Sequence, residues 1–440
     1  MSAMRSLLLA LPMAAILAAC GNAPVVLSEE EKAARVTVNP LSENLTPDPA
    51  LASATIALPA VEPSADWPQA GVNSAKHPAN YAAGSQFKID WRVGVGEGSG
   101  ELKRIVAAPV ARDGRIYTID ANQRVTATDI ASGKRIWENK LKAANPKWDE
   151  YTVGAGLAIT GDKLIVASGF AYVTALSLAD GKEVWHRRVE SPLSSSPAIL
   201  GNRAFLTSTN NDFYAIDTDD GEIIWNDQAL SESARVLSSP SPAVTQDILA
   251  VGYSSGELIA YLPANGRRLW TDTLTATGRY TPLSAINDIA GKPTIQDGVV
   301  YVASHSGILA AIDSRSGARL WSRVFGSRQG PVIGGNYLFV VGTNAKIAAF
   351  NRIDGKIAWV RDLPEFKDNN QENRIVWTGP LMADGRLIIT SSYGDVLALS
   401  PQNGETVAEL TVGQGVLIEP IAAGGKIFLL TDQAQLIAIK

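Results

Sequence analysis

The chain has 440 residues, 46% of them apolar and 19% charged, with a formal net charge of -5. Such a chain can bury a large core but presents no basic surface, which excludes ordinary nucleic-acid binding. Its single cysteine excludes an internal disulfide, so stability has to come from packing.

In chain order, the first element is a leader. Arg5 precedes the apolar run SLLLALPMAAILA, which is too short to span a bilayer. The run ends in Leu17-Ala18-Ala19-Cys20, which resembles a bacterial lipobox. That resemblance implies a signal peptide over residues 1–19, diacylglycerol on the thiol of Cys20 and a membrane lipid anchor. The alternative is ordinary cleavage after Ala19 with a free thiol. With three acyl chains the anchor would be firm. Gly21, where an Asp often marks inner-membrane retention, favours the outer membrane. Residues 21–65 contain no aromatic residue and six prolines. Such a segment buries too little to offset its ordering entropy, and residues 20–65 are expected to be a lipidated flexible linker. As a flexible chain it would span on the order of 40 Å. SEEEKAARV within it has the composition of a transient helix.

Order is expected to begin at Asp66 and to continue to Lys440. One unit recurs there: a Pro-containing lead such as KPTIQ, a turn, a strand such as VVYVAS, a second turn, a strand such as ILAAID, and a hairpin into ARLW. Short β-branched and aromatic runs between Gly, Asn and Asp turns describe successive antiparallel hairpins. The closing tryptophans, Trp91, Trp137, Trp185, Trp225, Trp270, Trp321 and Trp359, are spaced by 38 to 51 residues. That period with four strands predicts an all-β, eight-bladed β-propeller of four-stranded antiparallel blades. Each Trp is expected to dock on the next blade and each Gly of the hairpin loop to take positive φ. The seventh unit carries Glu409 at the expected Trp place, and the eighth stops after three strands. FKIDWRV would supply the missing strand, pairing the N- and C-terminal ends and removing an open sheet edge. Seven blades is the alternative count.

Candidate chemistry is sparse. Gly252-Tyr253-Ser254-Ser255-Gly256 has the spacing of a nucleophile elbow but joins two strands, without the strand-to-helix turn the mechanism needs. GVGEGSG at 94–100 resembles a phosphate loop in composition alone, since no helix follows. His77, His186 and His305 are scattered, with no metal-ligand spacing. Asp217 and Asp313 recur at one hairpin position, as turn formers do.

The phrase (A/L)xAID-xxxG-xxxW resembles the repeat of pyrroloquinoline quinone enzymes, over nearly everything after Asp66. Two families share it. Quinoprotein dehydrogenases bind the quinone with calcium and usually carry an adjacent cysteine pair, which this chain lacks. The second is the BamB family, the β-propeller lipoproteins of the outer-membrane β-barrel assembly machinery. DWPQAGVNSAKHP, SSGELIAYLPANGRRLWTDTL and INDIAGKPTIQDGVVYVASHSGILAAID resemble it closely, in the α-proteobacterial form. This resemblance implies a non-catalytic scaffold with no cofactor, at the periplasmic face of the outer membrane. It would bind a POTRA domain of a BamA-like barrel protein and aid insertion of outer-membrane proteins, with unfolded outer-membrane protein clients among its partners. The family's two contact loops align with Arg235, Val236 and Leu237, and with Asp288. This sequence departs from the family's Asp-x-Asp pair at Ala290, and its Arg is displaced to Arg235. Both loops lengthen the spacing around Trp270, and long loops on a rigid frame commonly bind. The enzyme alternative is a quinoprotein dehydrogenase.

Overall fold

The computed structural model describes residues 45–51, 54–143, 152, 154–232, 236, 238, 240–275 and 286–440. The signal peptide, Cys20 and the SEEEKAARV patch lie outside them. Eight sheets form the ring, with blades 1 to 7 at 110–140, 155–188, 198–228, 243–273, 294–324, 332–362 and 377–411. Within each, strands A to D run in sequence from the inside of the ring outward. Blade 8 takes strands A to C from Ile421–Ala423, Lys426–Leu430 and Gln435–Ile439, and its D strand is Ile89–Gly94. The ends of the chain therefore pair antiparallel, with Trp91 opposite Ala438.

The inner strands are almost wholly buried because both faces of each blade pack on neighbours, whereas the D strands mix part-buried and exposed positions. Leu164 to Ala167 and Leu338 to Val340, for example, are 0% exposed. One grammar recurs on the outer edge. In six blades an Ala of strand C faces the Trp of strand D, as Ala215 faces Trp225, and the register then slips by one residue. The slipped residue is Ile136, Val184, Ile224, Leu269 or Leu320 in five of them, and each is more than a third exposed. A bulge in every outer strand kinks the edge and makes it a poor template for pairing with another chain.

The tryptophans join the blades. Nε1 of Trp91 donates to Ile130 O, Trp137 to Leu178 O, Trp185 to Thr218 O and Trp225 to Pro263 O. Trp270 donates to Ser314 O, Trp321 to Arg352 O and Trp359 to Pro401 O, all at 2.8–3.0 Å. Each acceptor belongs to the C–D turn of the next blade, so the ring is stitched one neighbour at a time. The glycine of that turn is constrained twice. Gly266 has a φ of +74°, and a Cβ on it would lie 2.5 Å from Trp225 Cε3.

The expected place of the missing seventh Trp is corrected. Ala408, not Glu409, occupies it, since Ala408 faces Ala398 while Glu409 faces Leu397. The physical reason lies in the next blade. Blade 8 has no closed C–D turn to cover, because its C and D strands are the two ends of the fold. Lys88 and Lys440 exchange backbone hydrogen bonds there instead, at 3.3 and 2.9 Å. At the slipped position of this closing strand stands Asp90, whose carboxylate binds Lys426 at 2.8 Å and Lys440 at 2.6 Å.

Hydrogen bonding to those two ammonium groups holds the Asp90 carboxyl down at about 2. A carboxyl depressed in the fold stabilises above its unfolded pKa, and the contribution disappears as pH falls through the folded one. Asp90→Asn is therefore expected to lower the melting temperature at neutral pH. The gap to wild type should close on acidification from about pH 4 to about pH 2. Melts by circular dichroism across that range check this; a gap independent of pH would refute it.

The start of order also differs from the expected Asp66. Leu45 already packs against the cluster shared by blades 5 and 6, Asp48 N–H donates to Ile357 O, and Ile56 is 2% exposed. Residues 54–84 then cross the end of the ring that carries the A–B turns. Trp67 pairs with Ala111 of blade 1, and the carbonyls of Pro68, Ser74, Ala75 and Tyr81 accept from Ile159, Val244, Ile295 and Asp384. The Gln69 side chain accepts from Ile199 N. These are inner-strand residues of blades 2, 4, 5, 7 and 3, so the segment floors the axis. Polar backbone of the inner strands is thereby satisfied where no further strand could reach it.

Candidate partner-binding face

The D–A connections between blades lie at the end of the ring opposite the crossing segment. The two loops singled out by sequence are neighbouring members of this set, the links from blade 3 to 4 and from blade 4 to 5. Of the four candidate contact residues, Arg235 and Leu237 lie outside the described residues. Val236 and Asp288 are brought together: Val236 N–H donates to Asp288 Oδ2 at 2.8 Å.

Asp288 is only 5% exposed. Its carbonyl accepts from His305 N–H at 2.9 Å, and its charge acts through space on the Arg328 guanidinium. Burial and the Arg328 cation push His305 below the ordinary imidazole value, which favours the neutral ring behind the loop. A buried carboxylate that accepts a backbone N–H positions the loop that carries it and the loop it holds. In this geometry Asp288 sets the shape of the face, while exposed neighbours are left to touch a partner.

The elbow-like stretch has a different use. Ser254 is 8% exposed and donates to Asn211 Oδ1 at 3.0 Å. A Cβ on Gly252 would lie 2.4 Å from Ile289 Cγ2, and one on Gly256 would lie 3.0 Å from Asn287. Ile289 is 0% exposed, and its N–H donates to Tyr253 O at 3.1 Å. The two glycines of Gly252-x-Ser254-x-Gly256 therefore make the seat on which the 286–290 loop rests. Asp217 and Asp313 cap turns, Asp313 Oδ1 accepting from both N and Oγ of Ser316. GVGEGSG is a D–A connection in which Glu97 N–H donates to Asp120 Oδ2.

Sequence reasoning missed Leu230. It is 66% exposed at the start of the first loop, the most exposed large apolar residue of this face among those described. Its backbone is held on both sides, by Glu257 Oε2 on its N–H and by Asn211 Nδ2 on its carbonyl. A fixed backbone carrying an exposed leucine is the arrangement of a contact residue. A signal was present, since Leu230 is a lone apolar residue between Ala229 and a polar run.

Among the described residues no group of three or more His, Cys, Asp or Glu could hold a metal ion, and no helix is long and apolar enough to cross a membrane. What this face offers is shape, a few apolar side chains and backbone groups of fixed direction, which suits recognition of a polypeptide.

Comparison with known proteins agrees with this geometry. The family described as outer membrane protein assembly factor BamB matches residues 88–150, 121–361 and 367–440. The Yersinia pestis protein of that name is 26% identical over 343 residues, covering 77% of this chain and 85% of its own. The Escherichia coli K12 protein is 25% identical with the same coverage. The structure of BamB from Moraxella catarrhalis superposes with a TM-score of 0.65 at 16% identity, over 79% of this chain and 99% of that one. A quinohemoprotein alcohol dehydrogenase from Comamonas testosteroni gives 0.63 at 15%, over 85% and 80%. The ring is thus common to enzymes and assembly factors, and fold alone does not choose between them. The sequence match does, and the chain belongs to the BamB family of outer membrane protein assembly factors.

Proposed function

We propose that this chain is a non-catalytic scaffold subunit of the outer-membrane β-barrel assembly machinery, at the periplasmic face of the outer membrane. The observation that carries the reading is the family match across nearly the whole ring. Lipid on Cys20 would anchor it, residues 1–19 being the signal peptide. The D–A face around Leu230, Val236 and the Asp288-held loop would dock on a POTRA domain of a BamA-like barrel protein. Unfolded outer-membrane proteins would be its clients. The ring contributes rigidity: Leu230, Val236 and Ile289 are each held by hydrogen bonds, so little ordering entropy is lost at those positions on docking.

Affinity capture of the lipoprotein from mildly crosslinked membranes tests this. The wild type should recover a BamA-like barrel protein. Leu230→Asp combined with Leu237→Asp should cut that recovery about tenfold or more, as expected for loss of central apolar contacts. The melting temperature should stay within a few degrees, because Leu230 lies outside the strands and is 66% exposed. Failure of the wild type to recover any barrel protein would sink the proposal.

A further inference from the structure

Where the crossing segment floors the axis, the D–A connections above it border an open cavity of about 320 Å³. Ala70 of the crossing segment is its floor. Its charged lining comprises Arg104, Lys292, Arg328, Glu419 and Asp432, three cations against two carboxylates. Lys292 pairs with Glu419, and Arg104 stands 4.0 Å from Asp432. Arg328 makes neither a hydrogen bond nor an ion pair with a described residue, and burial works against its charge. Asp288 acts on Arg328 only across space and is already engaged with Val236.

A second group in the same cavity is also unfilled. Ser241 is 2% exposed, and its Oγ is buried without a hydrogen-bond partner. A buried hydroxyl left unpaired is unfavourable, so it favours any ligand that supplies an acceptor. The lining also has apolar members, buried Ile105 and Ile418 and the more exposed Leu417.

We propose that this axial cavity binds a small monocarboxylate with an apolar body, its carboxylate against Arg328 and Ser241 and its body against Ile105 and Leu417. The guanidinium fork matches the two oxygens of a carboxylate, and the lining's excess of one positive charge is neutralised by a single negative one. An anion without an apolar part would leave the wall wet, and an apolar molecule without charge would leave Arg328 and Ser241 unpaired. The cavity shares Ser238 and Ala290 with the two candidate loops, but its carboxylate chemistry does not depend on the partner-binding reading.

Hexanoate, with hexanamide and inorganic phosphate as controls, tests it by ligand-observed NMR and calorimetry on the full chain. Saturable hexanoate binding is expected, weakened about tenfold or more by Arg328→Gln and several-fold by Ser241→Ala. Hexanamide and phosphate should not compete. The Ser241 variant removes only a hydroxyl, so it reports on the site even if the Arg328 variant disturbs the loops. Absence of saturable binding, equal binding of hexanamide, or an affinity unchanged in both variants would overturn the proposal.

Discussion

Trp225→Ala is expected to destabilise the ring by about 3 kcal/mol, at the lower end of the range for large-to-small aromatic substitutions because part of the ring is exposed. The indole stacks on Phe213 at 5.1 Å between centroids, lies 5.8 Å from Tyr261 and donates to Pro263 O of blade 4. Its removal opens a gap between two blades and takes one of two donors from Pro263 O, which Arg203 Nη1 also reaches at 3.0 Å. Gly266→Ala acts on the same joint from the other side and should cost about 2 kcal/mol through overpacking and positive φ. The two effects should not add. With the indole gone, the new Cβ meets no ring, and Gly266→Ala should then cost about 1 kcal/mol, the backbone strain alone. Urea melts of the wild type, both single variants and the double variant measure the coupling. Strict additivity would show that Trp225 does not rest on the glycine in solution.

Lys76→Met should have the opposite sign, stabilising by about 1–4 kcal/mol, as when a buried charge is replaced by an apolar side chain of similar length. Lys76 is 0% exposed, and among the described residues Nζ reaches only the Gln69 amide oxygen, at 3.3 Å. That oxygen also accepts from Ile199 N at 2.9 Å, so losing the lysine does not orphan it. Burial, reinforced by the nearby Lys292 charge, pulls the ammonium well below its ordinary value of 10.5. A lysine depressed in the fold binds a proton more tightly when unfolded, so its cost shrinks as pH rises toward the unfolded value. The advantage of Lys76→Met should therefore be large at neutral pH and decline as the solution is made alkaline toward 10.5. Paired melts at neutral and alkaline pH check the sign, and a destabilised variant at neutral pH would contradict it.

Much of the fold was legible because its information is local. A hairpin writes its turn, its glycine and its tryptophan within ten residues, and FKIDWRV could be matched to a blade that lacked one strand. The place of the missing Trp was misread by one residue because the bulge in each outer strand is invisible until the strands are paired. The start of order was misread for a related reason. Residues 45–65 lack aromatics, yet Ile56 is buried and Ser64 is 6% exposed, since a preformed ring supplies the surface they bury against. Composition reports what a segment can bury by itself and says nothing of what a neighbour offers.

The candidate face divides the same way. Its two loops were found from spacing and resemblance, but the order of roles within them was not. Asp288 lies inside the face, holding Val236, and Leu230 lies outside it. The sequence by itself determined the repeat, the eight blades, the stitching tryptophans and the closing strand, because each follows from side chains a few residues apart along one hairpin. Only the tertiary structure decided the floor beneath the axis, the seat under the 286–290 loop and the unfilled pair Arg328 and Ser241. Those depend on chain segments from about thirty to well over a hundred residues apart meeting at one point, as Tyr253 meets Ile289 and Gln69 meets Ile199, and the free energy of such a meeting has no local signature.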